Sequence, residues 1–139
     1  MFLLDTNVIS ELRKSKGGTA NKGVTDWANE VPAALMFMSV ISLHELEHGV
    51  LLAEHADPTK GALLRDWLNN RVVPAFAGRI VSVDAPVVVR AAALHVPDRA
   101  PLRDALIGAT ALMHGLTVVT RNIRDFNRFD ELAVVDPWS

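Results

Sequence analysis

The stretch RDALIGATALMHGLTVVT, Arg103–Thr120, decides the fold. Arg103–His114 is dense in Ala, Leu, Ile and Met and stops at Gly115, a residue suited to the left-handed position that closes a helix. Val118–Thr120 then reads as a short strand. Working outward, Phe2–Leu4, Leu35–Ile41, Ile80–Val83 and Leu132–Val135 are apolar runs of the same kind, without clean alternation of apolar and polar residues. Continuous apolar strands separated by helical segments are the mark of a parallel sheet covered on both faces. The expectation is an α/β domain spanning residues 1–139.

The intervening segments carry helical periodicity. Leu43, Leu46, Val50 and Ala53 in Leu43–Ala56 fall on one face, as do Leu64, Trp67 and Leu68 in Thr59–Arg71. Asp84 is placed to cap Ala85–His95, with Pro86 early in the helix, where its missing N–H costs little. The polar, Gly-rich, basic segment Lys14–Gly23 reads as a loop.

Composition narrows the function. Half of the 139 residues are hydrophobic and 22% are charged, which is globular and not disordered. With no cysteine, disulfide scaffolds, thiol nucleophiles and thiolate metal sites are excluded. A formal net charge of −2 excludes a nucleic-acid coat protein but leaves room for a local basic patch. No apolar run approaches a membrane span, and the opening Met1–Asp5 lacks the basic region of a signal peptide, so a cytoplasmic protein is expected.

Three acids stand just after strand-like runs or in the first turns of helices: Asp5, Glu45 and Asp104. The polar run Thr120–Asp125 follows another strand. Ligands of open parallel sheets bind outside the carboxyl ends of the strands, where these groups would converge. Converging carboxylates call for a cation, and hard oxygen donors suit Mg²⁺ or Mn²⁺, ions that activate water and stabilise a phosphodiester under attack. Each acid also has a structural reading. Ser42-x-x-Glu45 matches a capping box, Asp5 suits an N-cap, and Asp104 suits the positive end of a helix. Gly49 and Gly108, four residues beyond Glu45 and Asp104, would let helices approach closely.

At these residues the sequence resembles the PIN-domain ribonucleases, specifically the VapC toxins of toxin–antitoxin pairs and their FitB-like branch. The likeness is carried by FLLDTNVISELRK, SVISLHELEHGV, PAFAGRIVSVD, RDALIGATALMHGLTVVTRNIRDF and the closing VVDPW. It implies a three-layer α/β fold, Mg²⁺-dependent RNA cleavage (Mn²⁺ substituting), a homodimer, and a VapB-type antitoxin as partner. Carried over by position, Asp5 and Asp104 would hold the metal and Glu45 would be the third acid. Thr6 would orient Asp5 or a water. Some relatives have an acid directly after Thr-Arg; here Thr120-Arg121 is followed by Asn122, with Asp125 three residues on, and either can complete the site. Arg13, Lys14 and Lys16 on one side, and Arg121, Arg124 and Arg128 on the other, would hold the RNA backbone.

Competing readings attach to the same residues. His44-Glu45-Leu46-Glu47-His48 matches the HExxH pattern of zinc proteases, although Leu51 and Glu54 stand where that class's extended motif needs Gly and His. Asp5 is placed like the nucleophile of a haloacid-dehalogenase-type phosphatase, but Asn7 replaces the second Asp. An inactive PIN-like interaction module, with Trp27, Trp67 and Trp138 as anchors or as core, is the non-enzymatic alternative.

Overall fold

Strands buried on both faces need apolar residues at every position, and the sheet shows why. In the computed structural model, which describes residues 1–139, Leu3 and Val118 face one hydrophobic cluster while Leu4 and Val119 face another. The strands are β1 (Phe2–Leu4), β2 (Met36–Ser39), β3 (Ile80–Val81), β4 (Thr117–Val119) and β5 (Val134–Val135). They form one sheet in the order β3-β2-β1-β4-β5, with every pairing parallel.

Helices cover both faces. Helices α1 (Thr6–Leu12), α2 (Lys22–Glu30), α3 (Val40–Ala56) and α4 (Pro58–Trp67) contribute to the first cluster, with Val8, Ile9, Val24, Leu46 and Val50 as its buried members. The chain then widens into a π turn over Leu68–Val72, burying Leu68 and Val72, before the short α5 (Val73–Ala75). On the second face, α7 (Leu102–His114) and α8 (Ile123–Phe126) bring Ile107, Ala111 and Phe126 together with Phe129. Between α6 (Ala85–Leu94) and α7, Val87 and Ala91 meet Ala105 and Ala109. The expected three-layer α/β architecture is the observed one. No helix is long and apolar enough to cross a membrane.

Local signals behave largely as their chemistry requires. Asp84 accepts the Val87 N–H at 3.1 Å, and Gly115 ends α7 at φ 65°. The segment read as one strand, Leu35–Ile41, divides into three pieces: a 3₁₀ turn at Ala33–Leu35, β2, and the start of α3 at Val40. Ser39 ends the strand and caps the helix, its Oγ accepting from the Ile41 N–H at 3.0 Å, so no loop residue interrupts the apolar run. Ser39, and not Ser42, is therefore the cap, and the capping-box reading of Glu45 falls: Glu45 lies in the second turn of α3. The basic loop is shorter than expected, because Asn21 caps α2 and Lys22 and Gly23 are already helical.

The small residues on the acid-bearing helices do not bring those helices together. Space beside Gly49 is open, and Gly108 lies under the Phe129 ring, away from the acids. Gly61 is the glycine that brings helices together: a Cβ there would sit 2.6 Å from the Glu54 backbone nitrogen on α3.

Candidate active site

With β1 central, the chain runs outward to β2 and β3, then returns to place β4 and β5 on the other side. The order reverses between β1 and β4, and the crevice at such a reversal is where open α/β sheets bind ligands. Asp5 stands at the carboxyl end of β1 and Thr120 at that of β4. The backbone fixes both: the Asp5 N–H donates to the Val119 carbonyl and the Thr120 N–H to the Val135 carbonyl, each at 2.9 Å.

Asp5 is buried, with its carboxylate held from two sides. One oxygen accepts the Thr6 N–H at 2.8 Å, which also makes Asp5 the N-cap of α1. The other accepts the Thr120 hydroxyl at 2.8 Å. Thr120, itself buried, also accepts the Asn122 N–H at 3.0 Å and the Asn7 side-chain amide at 3.4 Å. Asp5 is thus a cap and a member of the cluster at once. The Thr6 hydroxyl donates to Glu45 at 2.5 Å, so the expected partnership of Thr6 with Asp5 runs through its backbone and not its side chain.

The three acids meet on one cation that motif reasoning passed over. Arg103 donates through Nε to Glu45 at 2.6 Å, through Nη1 to Asp104 at 3.0 Å and through Nη2 to both Glu45, at 2.9 Å, and Asp5. Arg103 precedes Asp104 in the first turn of α7, and that adjacency is the only hint the sequence offers. Three carboxylates face one guanidinium, leaving negative charge in excess.

Protonation follows from these contacts. Burial alone would raise the Glu45 carboxyl, but hydrogen bonds from Arg103 and Thr6 outweigh it and hold it below the usual range. Asp104 goes the other way. Burial raises it, the Arg103 contact only partly offsets this, and the charges of Asp125 and Asp5 push it further. Burial opposes the charge on Arg103, yet its pairs with Glu45 and Asp5 prevail and keep it firmly protonated.

Around this cluster lies an open cleft of about 810 Å³ whose walls include Thr6, Glu45, Arg103, Asp104, Asn122 and Asp125. Its rim carries Arg13, Lys14 and Arg121, with the Arg121 guanidinium 5.4 Å from the centre of the Trp138 ring. The other three predicted basic residues lie elsewhere. Lys16 lines a separate hollow with Lys60 and Arg71, and Arg124 and Arg128 line another beside Pro97. Trp27 and Trp67 pack against the first cluster, as core.

The donor chemistry suits a hard divalent ion: carboxylate oxygens, two of them on buried side chains, already gathered on a positive charge. As they stand, spread around Arg103, no three acids or imidazoles of the chain are grouped to hold one metal ion. His44 and His48 do not form a zinc pair with a third ligand. Both are exposed on α3, their ring centres 6.4 Å apart, while Glu45 turns into the cleft. Asn7, where a phosphatase would need Asp, ties α1 to the β4 end, its Oδ1 accepting the Arg121 N–H at 3.3 Å.

Comparison with known proteins agrees with this architecture. Residues 2–132 match the PIN domain. The chain belongs to the PIN-domain family. It is 36% identical to Toxin FitB of Neisseria gonorrhoeae over 143 aligned positions, covering 99% of each chain. It is 31% identical to VapC ribonuclease Y4jK of Sinorhizobium fredii, covering 99% of this chain and 98% of the other. Among solved structures, FitAB bound to an IR36 DNA fragment superposes with a TM-score of 0.88 at 32% identity, covering 100% of this chain and 96% of that one. Membership of this family replaces the zinc-protease and phosphatase readings.

Proposed function

We propose that this PIN-domain protein is a metal-dependent endoribonuclease and the toxin of a toxin–antitoxin pair. The observation that carries the reading is the meeting of Asp5, Glu45 and Asp104 on one cation at the carboxyl end of the sheet. Relatives named toxin and ribonuclease, aligned over nearly the whole chain, give the activity and its setting. Asp5 and Asp104 would hold Mg²⁺ or Mn²⁺, with Glu45 completing the set. When bound, such an ion polarises water and stabilises the charge of a phosphodiester under in-line attack.

The chain's own residues do the rest. Thr120 and the Thr6 N–H fix Asp5 in one orientation, and the Thr6 hydroxyl fixes Glu45. Asp125 supplies the fourth negative charge, close enough to Asp104 to disfavour its ionisation. Asn122 can offer an amide oxygen from the same wall. Arg13, Lys14 and Arg121 draw the RNA backbone to the acidic centre, and Trp138 gives one aromatic edge to the cleft. A VapB- or FitA-type antitoxin is the partner, and the cytoplasm, where RNA is met, is the place of action. The expected homodimer belongs to the same proposal, since α6 and α7 expose Val88, Val89, Leu102 and Met113, apolar side chains such a contact would cover.

The test is cleavage of structured RNA by the purified, antitoxin-free chain with no metal, Mg²⁺, Mn²⁺ or Zn²⁺, beside Asp104→Asn. Cleavage that requires Mg²⁺ or Mn²⁺ and disappears in the variant supports the reading. A folded protein silent under every condition would instead be the inactive interaction module.

A further inference from the structure

We infer that Arg103 is a built-in competitor for the metal position, so that loading the site is an exchange and not a simple addition. The inference rests on the nuclease reading of the same acids. Four hydrogen bonds tie one guanidinium to Asp5, Glu45 and Asp104, using Nε and both terminal nitrogens. The same carboxylates cannot close around one small ion while they are spread over the three nitrogens of a planar fork that stands between them. Arg103 itself lies at the edge of the cleft, with 30% of its side chain exposed, on a long flexible stem that can leave without disturbing the core. Asp5, by contrast, is locked by Thr120 and the start of α1, so Arg103 is the partner free to move.

The arrangement has two consequences. Without metal, the internal cation keeps the buried acids from facing one another uncompensated. With metal, the ion is bound only against the work of releasing Arg103, so half-occupancy needs a higher ion concentration than the donor set alone would require. Apparent affinity falls by the fraction of molecules in which the acids are vacated.

Calorimetric titration of Mn²⁺ and Mg²⁺ into wild type, Arg103→Gln, Arg103→Lys and Asp104→Asn tests this, with ¹⁵N spectra of the Arg103 Nε–H followed in wild type during the Mg²⁺ titration. Arg103→Gln is expected to bind roughly ten- to a hundredfold more tightly than wild type, the factor for a vacated state populated at about 1–10%. Arg103→Lys, able to pair at one point only, should fall between them. The Nε–H resonance should move as the ion enters. Equal affinity in wild type and Arg103→Gln, both abolished by Asp104→Asn, would overturn the exchange while leaving the nuclease reading intact. Absence of binding in every protein would overturn both. Should Arg103→Gln fail to fold, the Lys variant and the wild-type spectrum decide: an Nε–H signal unmoved at saturating Mg²⁺ refutes the inference.

Discussion

Replacing Arg103 by leucine should destabilise the metal-free protein substantially, and the size can be bounded from the structure. The substitution keeps an apolar stem but removes the only cation hydrogen-bonded to Asp5, Glu45 and Asp104. Breaking a buried ion pair by removing one partner typically costs about 3–5 kcal/mol. Some of that must be discounted, because about a third of both Arg103 and Glu45 is exposed and that pair is screened. Asp5 and Asp104, nearly buried, are left facing each other. Their penalty has a ceiling, since Asp104, whose pKa burial already raises, can take up a proton instead. The expected loss is therefore about 2–4 kcal/mol, a large share of the roughly 5–15 kcal/mol that stabilises a domain. Unfolding entropy near 2.1 cal/mol/K per residue gives about 0.29 kcal/mol/K for this chain, so Tm should fall by about 7–14 °C. Differential scanning calorimetry in EDTA at pH 7.5 and low salt measures it, and the gap between wild type and variant should close as the pH is lowered and the acids neutralise. A variant melting within about 2 °C of wild type, or above it, would refute the claim that Arg103 compensates these acids.

Asp104→Asn should have the opposite effect on stability while abolishing cleavage. The folded-state pKa of Asp104 is raised, so the carboxylate costs stability above that pKa and the cost is relieved as pH falls through it; the variant should have the higher urea midpoint at neutral pH, with its lead shrinking in acid. Thr120→Val should cost about 1–3 kcal/mol by stranding the groups it satisfies, and loss of its hold on Asp5 should lower kcat or metal affinity about 10–100-fold. Gly61→Ala gains helix propensity but forces α3 and α4 apart, for a net loss of about 1–3 kcal/mol, read as a shift in the urea midpoint without loss of RNA cleavage by the remaining folded protein.

How far the sequence spoke depended on whether a residue's role was local. The strands were legible because burial on both faces leaves no polar position to interrupt Leu3-Leu4 or Val118-Val119. The end of α7 was legible because Gly115 adopts a left-handed conformation that L side chains rarely adopt. The start of α3 was not, since Ser39 serves strand and helix at once and the β-branched Val40 and Ile41 continue the apolar run. At the site, Asp5, Glu45 and Asp104 could be picked out by position relative to strands and helices. Arg103 could not, because its importance arises only when α7 carries it across to residues 58 and 98 positions away. Gly61 escaped for the same reason: its requirement is set by the backbone of a neighbouring helix.

The arrangement of charge at the site follows from which groups the sheet must fix and which it can leave mobile. Asp5 and Thr120 sit one residue beyond paired strands, where backbone hydrogen bonds to Val119 and Val135 hold them and where core packing denies them water. That rigidity gives a reacting phosphate a fixed target, but it also keeps Asp5 from relaxing away from Glu45 and Asp104 on the neighbouring helices. A mobile cation resolves the conflict. Arg103 stands at the solvent edge and makes its contacts through the end of a flexible chain, so compensation in the metal-free state does not require loosening the strands. Were the compensating charge instead buried and rigid, as a core lysine on β2 would be, metal entry would demand unfolding part of the sheet. The placement of the cation on the first turn of α7, beside the acid it neutralises, would let one helix end deliver both the proposed ligand and its temporary partner.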